Sequence, residues 1–228
     1  MLYYDMLYIL PALLLTLIAS IAVKSTYARY AKVHAASGIT ATAAARRILD
    51  ANGLSHIRIE SIPGDLTDHF DPQAGVIRLS DTVRNSTSIA AIGVAAHECG
   101  HAIQYAKQYA PIRVRAAFIP VTGVASRLAV PLVLIGTALS FYAQGLLSVA
   151  YAGIILFAIC VVFQLITLPV EFNASRRARQ VMASEGILSE KEVVGAGKVL
   201  NAAAMTYVAA LATAVLQLIR LIGIARRK

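Results

Sequence analysis

His97 and His101 stand four residues apart in the run Ala95-Ala96-His97-Glu98-Cys99-Gly100-His101-Ala102, inside an apolar stretch from Ile89 to Ile103. That stretch predicts a helix, and on a helix side chains four apart project from one face, so both imidazoles can meet a single metal ion. Glu98 then sits beside the ion without ligating it. Two neutral nitrogens suit Zn2+ held in an open site, and an adjacent carboxylate suits removal of a proton from an attacking water. The chain's own His and Glu frequencies give roughly three chances in a thousand of such a string arising at random, so it is read as a site. Cys99 points about 200° round the helix from His97 and reads as a small packing residue. With only two cysteines, Cys99 and Cys160, no disulfide framework is expected.

The elements that must hold such a site are unusually apolar. Of 228 residues 58% are hydrophobic, and the mean hydropathy of +0.67 exceeds that of an ordinary water-soluble domain of this size. Leu7 to Val23 carries no charge and, with Leu2 to Tyr4, approaches the ~20 residues that cross a bilayer. A cleaved signal peptide would show a basic start and a shorter apolar core; Asp5 is the only charge before Lys24, so an uncleaved anchor is expected. Leu128 to Tyr142 and Leu146 to Val170, joined by Ala143-Gln144-Gly145, predict a transmembrane hairpin. Its first arm extends back through Phe118 to Ser126, with Arg127 snorkelling or facing protein. Ala202 to Ile224, interrupted by Arg220, is a fourth run that either spans or lies against the other helices.

Between the first two runs the composition is that of a soluble domain. Thr40 to Leu54 predicts an amphipathic helix that buries Ala44, Ile48 and Leu49 and ends at Asn52-Gly53. Ile57-Arg58-Ile59 and Val76-Ile77-Arg78-Leu79, separated by Pro63-Gly64, Asp71-Pro72 and Gly75, predict a small sheet. Ser86 or Ser88 caps the motif helix. In this order Gly75 to Ser80 is expected as an edge strand beside the metal, open to pairing with an extended peptide or serving only as a structural hairpin.

A catalytic zinc normally has three protein ligands and one open position, so a third ligand must come from elsewhere in the chain. No His follows His101, which excludes a third His soon after the motif; His34, His56, His69, Glu171, Glu185, Glu190 and Glu192 remain. Topology favours Glu171, which follows Pro169 at the end of the third apolar run, where a two-span hairpin returns it to the face from which the motif helix entered. Glu185, Glu190 and Glu192 lie among basic residues and read as solvated charges, and His34 and His56 as surface or packing residues.

Three runs together carry a family resemblance: Leu66-Thr67-Asp68-His69-Phe70-Asp71-Pro72, Ala95 to Gln104 around the motif, and Leu168-Pro169-Val170-Glu171-Phe172-Asn173-Ala174-Ser175-Arg176-Arg177-Ala178. With them the chain resembles the bacterial YugP-like neutral zinc metallopeptidases over nearly its whole length, including the order of spans. That family is in turn similar to membrane gluzincins of the HtpX and CAAX-prenyl-protease type. The resemblance implies His97, His101 and Glu171 as ligands and Glu98 as the general base of peptide-bond hydrolysis. Four positions after the ligand Glu the broader pattern often has an Asp that supports a zinc-bound His; here it is Ser175, a weaker partner, with Asp68 or Asn173 as candidates to substitute. His69, Arg176, Arg177 and Tyr207 are candidate oxyanion donors.

The fold expected is a mainly α membrane protein with three to four transmembrane helices and a small α+β zincin-like domain between the first and second spans. Its segments are an anchor (1–23), the catalytic domain (24–116), a hairpin (117–170), a polar segment supplying the third ligand (171–201), and a fourth hydrophobic helix with a basic tail (202–228). The cofactor expected is Zn2+, and the partners are a peptide or protein substrate, the lipid bilayer and membrane proteins. The net charge of +9 is spread over membrane-proximal segments without interleaved aromatics, which points to lipid headgroups and away from nucleic acid. Lys24, Arg29, Lys32, Arg113, Arg115, Arg176, Arg177 and Arg179 share one face, cytoplasmic by the positive-inside rule, in a bacterial cell (inner) membrane; Arg226, Arg227 and Lys228 run against it if the fourth helix spans. The alternative is a zinc-stabilised membrane adaptor that binds partner proteins without turnover. Glu98 speaks against it, because a structural zinc needs no adjacent base. An intramembrane protease with an Asp ligand in a later span is excluded, since the later runs contain no Asp.

Overall fold

The computed structural model describes residues 2–226. In chain order the elements are α1 (Leu2–Tyr30), α2 (Ala41–Ala51), β1 (Arg58–Ile62), β2 (His69–Asp71), β3 (Val76–Ser80), α3 (Asp81–Arg84), α4 (Ile89–Ala106), α5 (Ala110–Leu139), α6 (Leu147–Ser184) and α7 (Glu190–Arg226). They form two compact units, one of Met1–Ala19, Arg113–Leu168 and Thr206–Lys228, the other of Ser20–Ile112 and Pro169–Met205.

The first unit draws on four helices, α1, α5, α6 and α7, each long and apolar enough to cross a membrane. The fourth run, whose status the sequence left open, is among them with a mean hydropathy of 2.1. The outward faces are apolar: Leu13 is 61% exposed and Ile18 63%, a surface suited to lipid and costly in water. The two charges that interrupt the outer runs pair with each other, Arg220 Nε lying 2.7 Å from Asp5 Oδ1, as charges at membrane depth require. A Cβ on Gly153 would meet the Ala129 carbonyl at 2.6 Å, so α5 and α6 touch backbone to backbone. Both hairpin arms run past their expected limits. α5 starts at Ala110, and α6 continues through residues 171–184 because no glycine interrupts it until Gly186, at φ +57.

In the second unit α2 begins where Thr40 accepts a hydrogen bond from the Ala43 amide, and it stops at Ala51, three residues before the expected Leu54. Asn52 is the C-cap, and Gly53 follows at φ +71, a conformation cheap only for glycine. The sheet has three strands in the order β1-β3-β2, with β1 parallel and β2 antiparallel to β3. This corrects the expected edge: β3 is central, hydrogen-bonded on both sides and buried at Val76, Ile77, Leu79 and Ser80. Its run of apolar residues is what a strand covered on both faces needs. The edges are β1 and the three-residue β2, which was not expected as a strand. α4 packs among Ile48, Leu49, Ile77, Leu79, Met182 and Ile187, the core of this unit. Glu192, read from sequence as a solvated charge, is partly exposed and also ties elements together. It accepts from the Ser189 amide and hydroxyl just before α7 and from the Ala36 amide in the segment after α1.

Candidate metal centre

Ser88 fixes where α4 starts, its hydroxyl accepting from the Ala91 amide at 3.2 Å, and thereby the face on which His97 and His101 emerge. α6 then lies against α4 at Gly100, where a Cβ would meet the Ala174 carbonyl at 2.6 Å, so only glycine admits this approach. It brings in Glu171. Its Oε2 lies 3.2 Å from His97 Nε2 and 3.7 Å from His101 Nε2, and the two imidazole rings stand edge to face with centroids 4.7 Å apart.

The far side of each ring is also held. His97 Nδ1 is 3.2 Å from the Ser175 hydroxyl, and His101 Nδ1 is 3.0 Å from Gln104 Oε1, leaving both Nε2 atoms turned toward the carboxylate. The donor set fits zinc. Ligands at about 2.0–2.2 Å in a tetrahedron lie about 3.4 Å from one another, and the observed 3.2 and 3.7 Å bracket that spacing. Each of the three residues can place one ligand atom within 4.8 Å of the other two. Glu98 is buried, and its Oε2 accepts from the Phe70 amide of β2 at 2.9 Å. Burial pushes its carboxyl above the usual range, opposed by the charge of His97 and His101. Burial opposes the His101 cation, yet the approach of Glu171 and the charge of Glu98 leave that group above its ordinary value.

Residues 5–226 match the family described as "Putative neutral zinc metallopeptidase". The chain belongs to this family. It is 47% identical over 215 residues to the "Putative membrane protease YugP" of Bacillus subtilis (strain 168), covering 94% of this chain and 93% of that protein. No solved structure matches it. Zinc, the metal of the neutral zinc metallopeptidase family, is thus the ion that suits the His97, His101 and Glu171 cluster.

The other residues singled out by sequence are placed as follows. Asp68 closes its own loop by accepting from the Ser80 amide and hydroxyl at 2.8 and 2.9 Å. His69 sits on β2, with Nδ1 2.9 Å from the Thr67 carbonyl and Nε2 3.3 Å from Arg78, which also pairs with Asp71. Asn173 reaches the site indirectly, its Oδ1 accepting from Gln104 at 3.0 Å and from Arg177 at 2.7 Å. Arg177 lies over the Tyr109 ring at 6.0 Å, Arg176 is exposed, and Tyr207 belongs to the other unit. His34 bonds Thr87, and His56 is exposed. Cys99 is buried with its sulfur 3.6 Å from the Ala45 carbonyl, and burial pushes its thiol up, consistent with packing. Sequence reasoning missed Gln104, a fully buried amide three positions after His101 on the same helix. Its spacing was the available signal.

Proposed function

We propose that the chain is a membrane-bound zinc metalloendopeptidase of gluzincin type that hydrolyses peptide bonds. The observation that carries this reading is the convergence of Glu171 Oε2 on both motif imidazoles, with the Glu98 carboxylate beside them and not among the ligands. His97, His101 and Glu171 would hold the ion, which when bound supplies a Lewis acid that activates water near neutral pH and polarises the scissile carbonyl. Glu98 takes the proton from the attacking water and delivers it to the departing amine. The Phe70 amide, bonded to Glu98 Oε2, holds the carboxylate in one orientation and leaves Oε1 for that transfer. The charges beside the first three apolar runs support a multi-pass arrangement in a bacterial cell (inner) membrane with the site on the cytoplasmic side.

The decisive experiment measures zinc content and cleavage of an unfolded protein substrate for the detergent-solubilised wild type and Glu98→Gln. The variant is expected to keep its zinc and lose at least about a hundredfold in rate, the usual worth of a general base. Unchanged cleavage by Glu98→Gln would refute the mechanism, and a zinc-loaded wild type that cleaves nothing would favour the adaptor.

A further inference from the structure

Behind His101 a line of hydrogen bonds runs to Arg177, and its chemistry admits one polarity. The Arg177 guanidinium can only donate, and its Nε–H goes to Asn173 Oδ1 at 2.7 Å. The Val170 carbonyl can only accept, and it receives Gln104 Nε2 at 2.8 Å. Gln104 Nε2 also reaches Asn173 Oδ1, at 3.0 Å. Neither amide can be turned over. A flipped Asn173 would set an NH2 group against the guanidinium, and a flipped Gln104 would set its oxygen against two acceptors. Gln104 Oε1 is therefore the atom that faces His101 Nδ1 at 3.0 Å, and an acceptor there requires the imidazole to carry its proton on Nδ1. That leaves His101 Nε2, on the side where Glu171 Oε2 lies, as the nitrogen free to offer a lone pair to a metal ion.

We propose that Arg177, acting through Asn173 and Gln104, is a positioning residue that locks His101 in the tautomer able to bind a metal ion. The inference deepens the metal-centre reading above and rests on it for its purpose, although the tautomer itself is measurable without metal. Two further facts support it. Gln104 is fully buried, where an amide is tolerated only when its atoms are paired, and its side-chain bonds to His101, Val170 and Asn173 all belong to this line. Arg177 is itself steadied by the Tyr109 ring and sits one helical turn after Asn173, so the donor end is fixed by α6.

The test uses the full chain in detergent with 15N-labelled histidine. The protonated nitrogen of His101 is read by long-range NMR after chelation, and zinc affinity by competition with a fluorescent chelator. In the wild type His101 is expected to carry a proton on Nδ1. Gln104→Leu and Asn173→Leu should give mixed tautomers and lose about 10–100-fold in zinc affinity, with Arg177→Met losing less in the same direction. Asn173→Asp keeps the acceptor and should retain both wild-type properties; Tyr109→Leu, which removes only the stacking, should retain the tautomer. If Gln104→Leu and Arg177→Met keep the pure Nδ1–H form and wild-type affinity, the proposal is wrong. Should the leucine variants misfold, the contrast between Arg177→Met and Asn173→Asp decides the matter. A wild type that binds no zinc would sink the metal-centre reading alone, since the tautomer data would still decide the role of Arg177.

Discussion

His97 and His101 face the same carboxylate from one turn of one helix, yet their backs are held in different ways. Behind His97 stands a single hydroxyl, Ser175, which can rotate to donate or accept. Behind His101 stands the Gln104 amide, whose orientation is dictated by Val170, Asn173 and Arg177. One imidazole is thus adaptable and the other directed. The difference shows that equal spacing in a motif does not mean equal support, because the support comes from whatever residue of α6 or α4 lies behind each ring.

The comparison can be broken outright at the group the two rings share. Glu171→Ala leaves two imidazoles, too few for a catalytic zinc, and should lower metal content and activity together, while Glu190→Ala changes neither. Full zinc and full activity in Glu171→Ala would move the third ligand elsewhere, His69 first. Next in size is Gly100→Ala, whose added Cβ meets the Ala174 carbonyl at 2.6 Å and forces α4 from α6. It should cost about 1–3 kcal/mol in a denaturation assay and loosen zinc at both rings at once; wild-type stability with normal metal would show that the close approach is dispensable. Ser175 sharpens the comparison with a smaller effect. Ser175→Ala should weaken zinc binding less than Gln104→Leu does, and Ser175→Asp, which supplies a fixed acceptor, should tighten it. The reverse order in chelator competition would make His97 the better-supported ligand.

What could be read in advance follows the range of the interactions concerned. The helix through His97 and His101, its cap at one of the two serines named, the Asn52-Gly53 stop of α2 and the existence of the apolar helices rest on spacing within a turn or on composition, and the structure has them, with longer hairpin arms than expected. β2 was missed because three residues ending before Pro72 carry no period of their own; their pairing with β3 exists only in the folded unit. The same partner made β3 central where an edge was expected. That Glu192 also bonds the Ala36 amide was not legible, because the two lie 156 residues apart. Gln104 drew no reading because the partners that bury it, Val170 and Asn173 of α6, lie more than 60 residues away.

The second unit is sewn from two separated stretches, Ser20–Ile112 and Pro169–Met205. That discontinuity sets an order of events during synthesis. His97 and His101 leave the ribosome well before Glu171, and all of α5 and most of α6 must follow before the carboxylate can join them. A nascent chain, or one broken off short of Pro169, holds the two imidazoles and the base but lacks the group that faces them. If the chain cuts others by the reaction proposed above, that capacity appears only after the middle pair of apolar helices has been made, and its own biosynthesis serves as the safety catch.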